Sequence, residues 1–428
     1  MTNSLLHFIK KSPDCFHAIA NLRDMLEEAG YSYLPEGGFQ LVPGGKYYTV
    51  RNGSALIAFR IPQDRPRRFL LTGSHSDSPC FRLRGEAAEL TGAYTRLSVE
   101  RYGGMINPCW LDRPLSVAGR VMVRQGSRIE TRLVDLEKDM VVIPNVAIHL
   151  NRDLNNGIKY DPARDLYPLY AGGDGKGCFM QELAEKAGCK PEDILASDLV
   201  VYNNQNGIQW GPKGEFISSP RLDDLACVYT SAQGLLLAEE NDAVDVLGVF
   251  DNEEIGSDTK QGADSMFLYD TLHAICEALG LTEADYRAMI PQSFMLSCDN
   301  GHGLHPNHPE LADPNEAPVL NGGIVIKHSP RYATDAPSTA LFVALCEQNN
   351  VPVQHYANRP DQAGGSTLGN IANTKTGIST VDIGMAQLAM HSCFETAGSQ
   401  DVDAMIRGVR AFYSANLTVE DGTITLNP

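Results

Sequence analysis

The sequence predicts an α/β sandwich with a largely parallel sheet, interrupted by an inserted all-β, barrel-like domain. Near both ends of the chain, short apolar runs rich in β-branched residues alternate with helical patterns, as in a sheet covered by helices. Between them lie short β-rich segments separated by glycine and proline, without a long helix. Because 428 residues exceed one typical core, we predict two domains, one formed by 1–90 with 220–428 and the insert by 91–219.

The chain begins with two predicted helices within residues 4–30. A Ser-Pro pair at 12–13 is typical of a helix N-cap followed by the first helical turn. Three short apolar runs then predict strands at 47–50, 55–59 and 68–72. The third strand leads directly into His75 and Asp77, so both side chains should stand at its carboxyl end.

The insert and the C-terminal half differ in the kind of elements that their sequences predict. In the insert, strands are predicted at 96–100, 115–124, 127–133 and 140–143, and residues 153–177, rich in Gly, Asp, Asn and Pro, indicate a long loop. In the C-terminal half, helices are predicted at 222–239, 265–279, 336–348 and 399–415. They alternate with strands at 244–250, 293–297, 323–327, 353–357 and 379–383. This alternation favours a largely parallel sheet.

Composition restricts the class of partner. With 53 acidic and 35 basic residues the formal charge is −18, and no basic stripe relieves it. Nucleic acids and anionic membrane surfaces are therefore not expected as partners. No apolar run approaches the roughly 20 residues that span a bilayer, and the first residues do not predict a secretory signal. Ten cysteines are scattered without a Cys-x-x-Cys pair, so we predict a cytoplasmic protein with reduced thiols.

Potential metal ligands stand where several predicted strands end or where a helix begins: His75, Asp77, Asp223, Glu253, Glu254, Asp299, His302 and His391. Because ligand sites of open α/β sheets lie at the carboxyl ends of the strands, these side chains can converge. Each has an ordinary alternative role as a helix N-cap, a turn former or a packed histidine. Together, imidazoles and carboxylates suit zinc, manganese or cobalt. Several carboxylates in one pocket need cations, so the sequence predicts a metal site.

The adjacent acids Glu253 and Glu254 offer two different roles. Alone, such a pair is most often a solvated turn, and Gly256 lets the backbone turn sharply after it. A hydrolase with two metal ions needs a bridging carboxylate and a base, and of two neighbouring acids one can ligate while the other stays free. Asp77, two residues from His75, is placed to orient that imidazole.

Six motifs match one enzyme family: His75-Ser-Asp-Ser-Pro, Pro220-Arg-Leu-Asp-Asp, Asp251-Asn-Glu-Glu-Ile-Gly-Ser, Asp299-x-x-His302-x-x-His-Pro-Asn, Arg331-Tyr-Ala-Thr and Met390-His-Ser. On these residues the sequence resembles the M18 aspartyl aminopeptidases from its first helices to its last. The resemblance implies hydrolysis of the N-terminal peptide bond of peptides beginning with Asp or Glu, through a water bridged by two metal ions. Zinc is the expected metal, and manganese or cobalt are alternatives.

The resemblance also implies the residue roles. The metal ligands would be Asp223 bridging both ions, His75 and Asp299 on one ion, and Glu254 and His391 on the other. Glu253 would be the general base. The family assembles as a tetrahedral dodecamer of dimers through the insert, so His149 would reach a neighbour's active site and stabilise the reacting carbonyl. Without the resemblance, His149 would be interpreted as a packed strand histidine.

A cation is needed for an acidic substrate side chain, since the chain itself is strongly negative. Lys327 ends the strand predicted at 323–327, at the edge where the ligands gather, and the resemblance gives it this role together with Tyr332 and His302. The ordinary alternative is a lysine whose stem packs at a strand end. Ser76 and Asp224 depart from the family's usual Thr and Asn, and Asp224 adds negative charge beside the metals.

Two other functions remain open from the sequence. A related di-metal aminopeptidase could prefer neutral residues or have broad specificity, which acidic and leucyl substrates would distinguish. The chain could also be a noncatalytic metal-binding scaffold. The complete ligand set and the additional acid Glu253 argue against that second alternative.

Overall fold

The computed structural model describes residues 1–84, 89–362 and 364–427. Its α-helices are α1 Thr2–Lys11, α2 Cys15–Glu28, α3 Cys178–Ala187, α4 Leu222–Leu237, α5 Phe267–Ala278, α6 Glu283–Met289, α7 Ala336–Gln348, α8 Leu368–Thr376 and α9 Asp401–Tyr413. Within this described part of the chain, no helix combines the length and the hydropathy that crossing a bilayer requires.

The strands of the first half are β1 Ser32–Tyr33, β2 Lys46–Arg51, β3 Ala55–Arg60, β4 Arg68–His75, β5 Cys80–Leu83, β6 Glu89–Thr91, β7 Tyr94–Leu97, β8 Val99–Tyr102, β9 Ser116–Gln125, β10 Arg128–Asp135, β11 Leu169–Gly172, β12 Ile194–Tyr202, β13 Ile208–Trp210 and β14 Phe216–Ser219. Those of the second half are β15 Ala243–Phe250, β16 Phe294–Cys298, β17 Gly301–His302, β18 Ile324–His328, β19 Val353–Ala357, β20 Ser379–Gly384, β21 Ala386–Leu388, β22 Glu395–Gly398, β23 Asn416–Glu420 and β24 Thr423–Asn427.

A nine-stranded sheet forms the centre of the α/β part, in the order β1-β2-β3-β15-β4-β16-β20-β18-β19. The four middle strands, β15, β4, β16 and β20, are parallel, and every residue of β4 and β15 is buried. Burial on both faces is the expected pattern for parallel strands between helices. The prediction of an α/β sandwich with a largely parallel sheet is confirmed. The carboxyl ends of the four parallel strands meet at one edge.

Helices cover both faces of this sheet. Along β15, Leu247 and Val249 face the core under α1, α2, α4, α7 and α9, whereas Val246 and Phe250 face the core under α5, α6 and α8. This period-two alternation places apolar side chains on both faces of one strand. Every element predicted from residue 222 onward is present, with ends shifted by two residues at most. The apolar spacing therefore predicted the core of the fold.

The insert contains two described sheets, β10-β9-β12-β5-β8 and β11-β7-β6. Alternate residues of β9, such as Val117, Val121 and Val123, enter one core with Trp110. A closed barrel stays a prediction. The predicted strand at 140–143 is absent as a strand, because its residues make only isolated bridges.

The prediction of an all-β insert is wrong in one respect, because the insert contains the helix α3. Its buried residues include Phe179, Leu183 and Ala187, spaced at helical intervals that place them on one face. Left-handed glycines, Gly177 and Gly188, flank the helix. The helical pattern was missed because it is short and directly follows the polar, Gly- and Asp-rich stretch at 153–177.

Strand pairing crosses the predicted boundaries of the insert at both ends. Upstream of residue 91, β5 pairs with β12 and β8 in the main sheet of the insert. Downstream, β14 pairs with β22 of the α/β part within the small sheet β13-β14-β22-β21-β17. The two parts of the chain are thus joined by hydrogen-bonded strands beside the segment that carries His391.

Candidate metal centre

His75 is the last residue of β4 and is 1% exposed. Its Nδ1 lies 3.1 Å from the carbonyl oxygen of Asp77 and 3.3 Å from Asp77 Oδ1. Its Nε2 lies 3.3 Å from Asp223 Oδ1. Asp77 therefore occupies one ring nitrogen and leaves Nε2 facing the other acids, as a metal-ligating histidine requires.

Asp77 also holds the turn that follows β15. Its Oδ1 accepts the backbone N–H of Glu253 at 3.1 Å, and its Oδ2 accepts that of Glu254 at 3.2 Å. The hydroxyl of Tyr102 donates to the same Oδ2 at 2.7 Å. One buried carboxylate thus connects the ends of two neighbouring parallel strands with the insert.

Asp223, at the start of α4, has its two carboxylate oxygens facing two different histidines. Oδ1 is 3.3 Å from His75 Nε2, and Oδ2 is 3.5 Å from His391 Nε2. The same His391 nitrogen lies 3.4 Å from Glu254 Oε2. A carboxylate in this position can serve two ions at once.

The potential ligand atoms form three overlapping groups, within each of which they lie no more than 4.8 Å apart. The groups are His75 with Asp223, Asp224 and Asp299; His75 with Glu253 and Glu254; and Asp223 with Glu254 and His391. The structure therefore brings all five predicted ligands and Glu253 together. Asp223 belongs to two of the groups, and the two histidines lie on either side of it.

Three oxygens of this cluster are buried without a hydrogen-bond partner among the described residues: Asp223 Oδ1, Asp224 Oδ1 and Glu254 Oε1. Buried unpaired carboxylate oxygens are costly unless a cation compensates them. Imidazole nitrogens and carboxylate oxygens are donors that zinc accepts. The residues present therefore fit divalent ions.

The crowding of acids shifts their proton affinities in the metal-free chain. Burial, with the charges of Asp299 and Asp223, raises the pKa of Glu253 to about 7, although His75 opposes this. Burial and the charge of Asp223 raise the pKa of Glu254 well above its ordinary value. For His391, burial alone would lower the pKa, but Asp223 and Glu254 raise it to about 10. The acids of this cluster therefore hold protons more tightly, in the absence of metal, than ordinary carboxylic acids do.

Three residues at this edge have left-handed backbone conformations: Arg221 at φ 55°, Asn252 at φ 65° and His391 at φ 65°. Asparagine tolerates this region, whereas arginine and histidine adopt it at a cost. Such strain is common at functional sites. Here it occurs beside or at the residues that face the cluster, where sharp turns direct side chains over the strand ends.

Lys327 reaches the cluster by a different route from the predicted one. Because β18 runs antiparallel to β20, its carboxyl end points away from the edge where the ligands gather, so that part of the prediction is wrong. The long side chain nevertheless places Nζ 3.3 Å from Asp299 Oδ2 and 3.4 Å from the carbonyl oxygen of Asn300. The residue is 2% exposed, and burial opposes the rise in its pKa that Asp299 causes.

One aromatic ring lies beside the ammonium group of Lys327. Nζ lies 5.4 Å from the ring centroid of Tyr332, a cation–π distance. His302, on β17, is exposed, and its ring centroid is 6.0 Å from that of Tyr356. Lys327 therefore contacts both Asp299 and the ring of Tyr332.

His149 lies outside the cluster. It occupies an exposed turn of the insert, between Ile148 at 42% and Leu150 at 82% exposure. The interpretation as a packed strand histidine is wrong, because the segment is neither a strand nor buried. A catalytic role for His149 would require this turn to reach the active site of a neighbouring chain.

Sequence reasoning missed several residues that shape the site. Glu395, 1% exposed, accepts the backbone N–H of Asp223 at 3.0 Å and that of His391 at 2.8 Å. Asp224 was seen only as an added charge, yet its Oδ2 accepts the N–H of His75 at 3.2 Å. Its place beside Asp223 was the available signal, whereas no motif pointed to Glu395.

A segment of the insert, Gly104–Cys109, which we call the strap, lies against the His391 segment. Nδ1 of His391 lies 2.5 Å from the carbonyl oxygen of Gly104, and the N–H of Ile106 donates to the carbonyl of His391 at 3.1 Å. The N–H of Cys393 is 3.0 Å from Cys109 Sγ. With Nδ1 occupied, Nε2 of His391 is the nitrogen left for a metal.

Comparison with known proteins identifies the family. A family model described as Aminopeptidase I zinc metalloprotease (M18) matches residues 8–413. A probable M18 family aminopeptidase 2 from Clostridium acetobutylicum is 41% identical over 422 residues, spanning 96% of this chain and 98% of the relative. A protein of the same name from Pseudomonas paraeruginosa is 39% identical over 428 residues, spanning 97% and 98%. The chain belongs to the M18 family of zinc metallo-aminopeptidases.

Solved structures agree with this assignment. A chain of the Ape4 and Nbr1 complex superposes with a TM-score of 0.93 at 31% identity, over 96% of this chain and 85% of that one. The Saccharomyces cerevisiae mApe1 dodecamer gives 0.85 at 29% identity, over 96% of each chain. An M18 aminopeptidase from Thermotoga maritima shares the fold, with a TM-score of 0.86 at 22% identity, over 96% of this chain and 95% of that one. The resemblance to the M18 family is confirmed.

Proposed function

We propose that this zinc metallo-aminopeptidase uses two metal ions and prefers peptides that begin with Asp or Glu. The observation that carries the two-metal proposal is Asp223, whose oxygens face His75 and His391 separately at 3.3 and 3.5 Å. Each histidine has further acids beside it, Asp299 or Glu254, within the 4.8 Å groups. One ion would be held by His75, Asp223 and Asp299, and the other by Asp223, Glu254 and His391. Zinc is the proposed metal, with manganese or cobalt as alternatives.

When bound, the ions supply Lewis acidity that polarises the scissile carbonyl and lowers the pKa of the attacking water. Glu253 makes no side-chain hydrogen bond or ion pair with the described residues, so its carboxylate is available. A free carboxylate beside the metal ligands can both take a proton and return it. We assign it the proton of the attacking water, which it passes to the leaving amine. Asp77 keeps this acid in place through its backbone N–H.

Preference for an acidic residue would rest on Lys327. The ammonium has three N–H donors, and the described residues occupy two of them, through Asp299 Oδ2 and the carbonyl oxygen of Asn300. The third could meet a substrate carboxylate beside Tyr332, with His302 at the exposed side of the pocket. A buried charge-assisted hydrogen bond contributes about 1.5–3 kcal/mol, or roughly 10- to 150-fold in discrimination.

A second candidate, a di-metal aminopeptidase of neutral or broad specificity, has one observation in its favour. The charge of Lys327 is already compensated by Asp299 at 3.3 Å. A lysine committed to a metal-ligating acid would have less attraction for a substrate side chain. The two candidates therefore differ in what Lys327 does, and not in the reaction.

Substitution of Lys327 by methionine separates these candidates. Lys327→Met keeps an apolar stem of similar length and removes the charge. For an acid-specific enzyme, kcat/KM for aspartyl and glutamyl substrates should fall about 10- to 150-fold, while the low leucyl rate changes little. Equal loss for both substrate classes would assign Lys327 to the support of Asp299 and leave the neutral-specificity candidate. Metal content by elemental analysis, measured on the same samples, should be two zinc ions per chain; a zinc-loaded chain without turnover would indicate a noncatalytic scaffold.

The assembly and location of the protein are also proposals. We propose that residues 91–219 form an oligomerisation domain. We also propose that this chain forms a homo-oligomer, by analogy with the dodecameric mApe1 of Saccharomyces cerevisiae. Exposed Ile148 and Leu150 beside His149 support a buried role for that turn in an assembly. All ten cysteines are unpaired in the structure, which supports a reducing, cytoplasmic location.

A further inference from the structure

Glu395 is a buried carboxylate that holds the backbones of two separate metal-facing segments. Oε2 accepts the N–H of Asp223 at 3.0 Å, and Oε1 accepts the N–H of His391 at 2.8 Å. Each oxygen therefore serves one segment. Glu395 is only 1% exposed, so the loss of either acceptor oxygen would leave a buried backbone N–H without a partner, which is costly.

The backbone of Glu395 is itself held rigidly. It is the first residue of β22, and it pairs directly with Ser219 of β14. The next residue, Thr396, pairs with Leu388 of β21. The backbone that carries this carboxylate is therefore fixed by strand pairing on both sides, so the carboxylate can hold less regular segments in place.

The two segments that it holds have little regular structure of their own. Asp223 lies at the irregular start of α4, with φ −84° and ψ 108°. His391 lies in a turn with φ 65°. Because neither backbone is fixed by a helical or strand ladder, the separation of Asp223 Oδ2 and His391 Nε2 depends on individual contacts. The strap holds the ring and the carbonyl of His391, whereas Glu395 holds the N–H groups of both residues.

We propose that Glu395 is a positioning residue that sets the spacing of Asp223 and His391, and thereby the affinity and geometry of the ion that they share. This inference rests on the proposed role of both residues as metal ligands. Both carboxylate oxygens of Glu395 are engaged by these backbone N–H groups. It acts through two backbone N–H groups, so it should influence the metal and the turnover number more than substrate binding.

The test compares Glu395→Gln with a matched control. Glutamine keeps the shape but replaces one acceptor oxygen by an N–H donor, which opposes one of the two backbone N–H groups. Zinc affinity, measured by competition with a chelator, should fall about 10- to 100-fold, the usual effect of losing a group that supports a ligand. The visible spectrum of the cobalt-substituted enzyme should shift, and kcat should fall with KM little changed.

Asp401→Asn is the matched control. Asp401 is also 1% exposed and also accepts two backbone N–H groups, from Asn321 at 2.7 Å and Gly323 at 2.9 Å. It lies outside the groups of potential ligand atoms. This variant should lose thermal stability while its zinc affinity and cobalt spectrum stay at wild-type values.

The result that overturns the inference is a Glu395→Gln protein with wild-type zinc affinity and cobalt spectrum. Should Glu395→Gln not fold, Glu395→Asp serves instead, because it keeps the charge and shortens the reach; wild-type zinc affinity and cobalt spectrum in that variant overturn the inference equally. His391→Ala distinguishes the underlying assignment. If His391→Ala keeps its full zinc content, the proposed ligand set fails; if it loses zinc while the Glu395 variants do not, only the positioning role fails.

Discussion

At the scale of single residues, the central feature is a shared acid between two imidazoles, with a further acid left over. Asp223 faces both His75 and His391. Glu253 and Glu254 leave the same turn, but only Glu254 contacts a histidine at ion-pair distance. This difference supports the proposal that Glu254 holds an ion while Glu253 moves a proton.

Glu253→Gln should lower turnover by about 10²- to 10⁴-fold. Glutamine preserves the size of the side chain and the backbone N–H that Asp77 accepts, but it cannot take a proton. Steady-state kinetics together with zinc analysis will check this, and metal content should stay at the wild-type level. Near-normal kcat in a fully metal-loaded variant would remove Glu253 from the role of base.

Metal binding should release protons and become tighter as pH rises from about 6 to 8. In the metal-free chain the pKa of His391 is raised to about 10 by Asp223 and Glu254, so this imidazole holds a proton near neutral pH, and burial beside Asp223 raises the pKa of Glu254 well above its ordinary value. Ligation requires the deprotonated forms. Lowering the pH therefore favours the protonated, metal-free chain. Zinc titration calorimetry in two buffers of different ionisation enthalpy will count the protons, and identical heats in both buffers would contradict the expectation.

Most residues of the site were predictable because their chemistry coincides with strand ends. His75, Glu253 and Asp299 follow strands that the apolar pattern predicts, and parallel strands bring such residues together. Glu395 could not be found in this way, because its role depends on backbone N–H groups of distant segments. Lys327 was predicted to be near the ligands, but for a reason that the antiparallel direction of β18 contradicts.

At the scale of elements, the insert contacts the turn after β15 through Tyr102, the last residue of β8. The hydroxyl of Tyr102 donates to Asp77 Oδ2 at 2.7 Å and accepts from Asn252 Nδ2 at 2.8 Å. One phenol thus connects the insert to the acid that orients His75 and to the residue before Glu253. Whether the end of a strand lies at the site depends on the direction of that strand in the sheet. A run of apolar residues predicts a strand but not its direction.

Tyr102→Phe should lower the free energy of unfolding by about 0.5–1.5 kcal/mol and weaken zinc binding by less than about tenfold. Denaturant unfolding of the metal-free protein and chelator competition will measure the two effects. Tyr413→Phe is the control, since its buried hydroxyl donates to the carbonyl of Val246 at 2.7 Å away from the ligands. The control should lose stability only; equal zinc affinity in both variants would show that Tyr102 does not support the site.

The elements of the insert were the least predictable. The apolar patterns of β9 and β10 were recognised, whereas α3 and β12 were not. Short strands carry too few residues for a period to show, and their pairing is decided by partners far along the chain. The predicted strand at 140–143 has the composition of a strand but finds only isolated bridges.

At the scale of the whole molecule, the net charge of −18 opposes an acidic peptide at long range, whereas the proposed contact of its side chain with Lys327 is local. Raising ionic strength screens the long-range repulsion. It should affect the buried contact with Lys327, which is 2% exposed, much less.

For an aspartyl peptide, kcat/KM should therefore increase between low and physiological salt, while a leucyl peptide of neutral charge should show little change. Rates measured at low substrate concentration in buffers of constant pH and varied sodium chloride will check this. A decrease for the aspartyl peptide would mean that positive charge near the entrance dominates over the net charge of the chain.

The strap connects the insert to the segment of the α/β part that carries His391, so a change in one part can affect the other. Gly104 and Ile106 hold the ring and the carbonyl of His391. If His391 binds zinc as proposed, zinc binding and the position of the insert would be thermodynamically linked. Linkage is reciprocal. A neighbouring subunit that immobilises the insert would tighten zinc binding by the same factor by which zinc favours that subunit's association. The occupancy of the metal site would then depend on protein concentration as well as on zinc, and a dilute chain would lose its metal sooner than a crowded one.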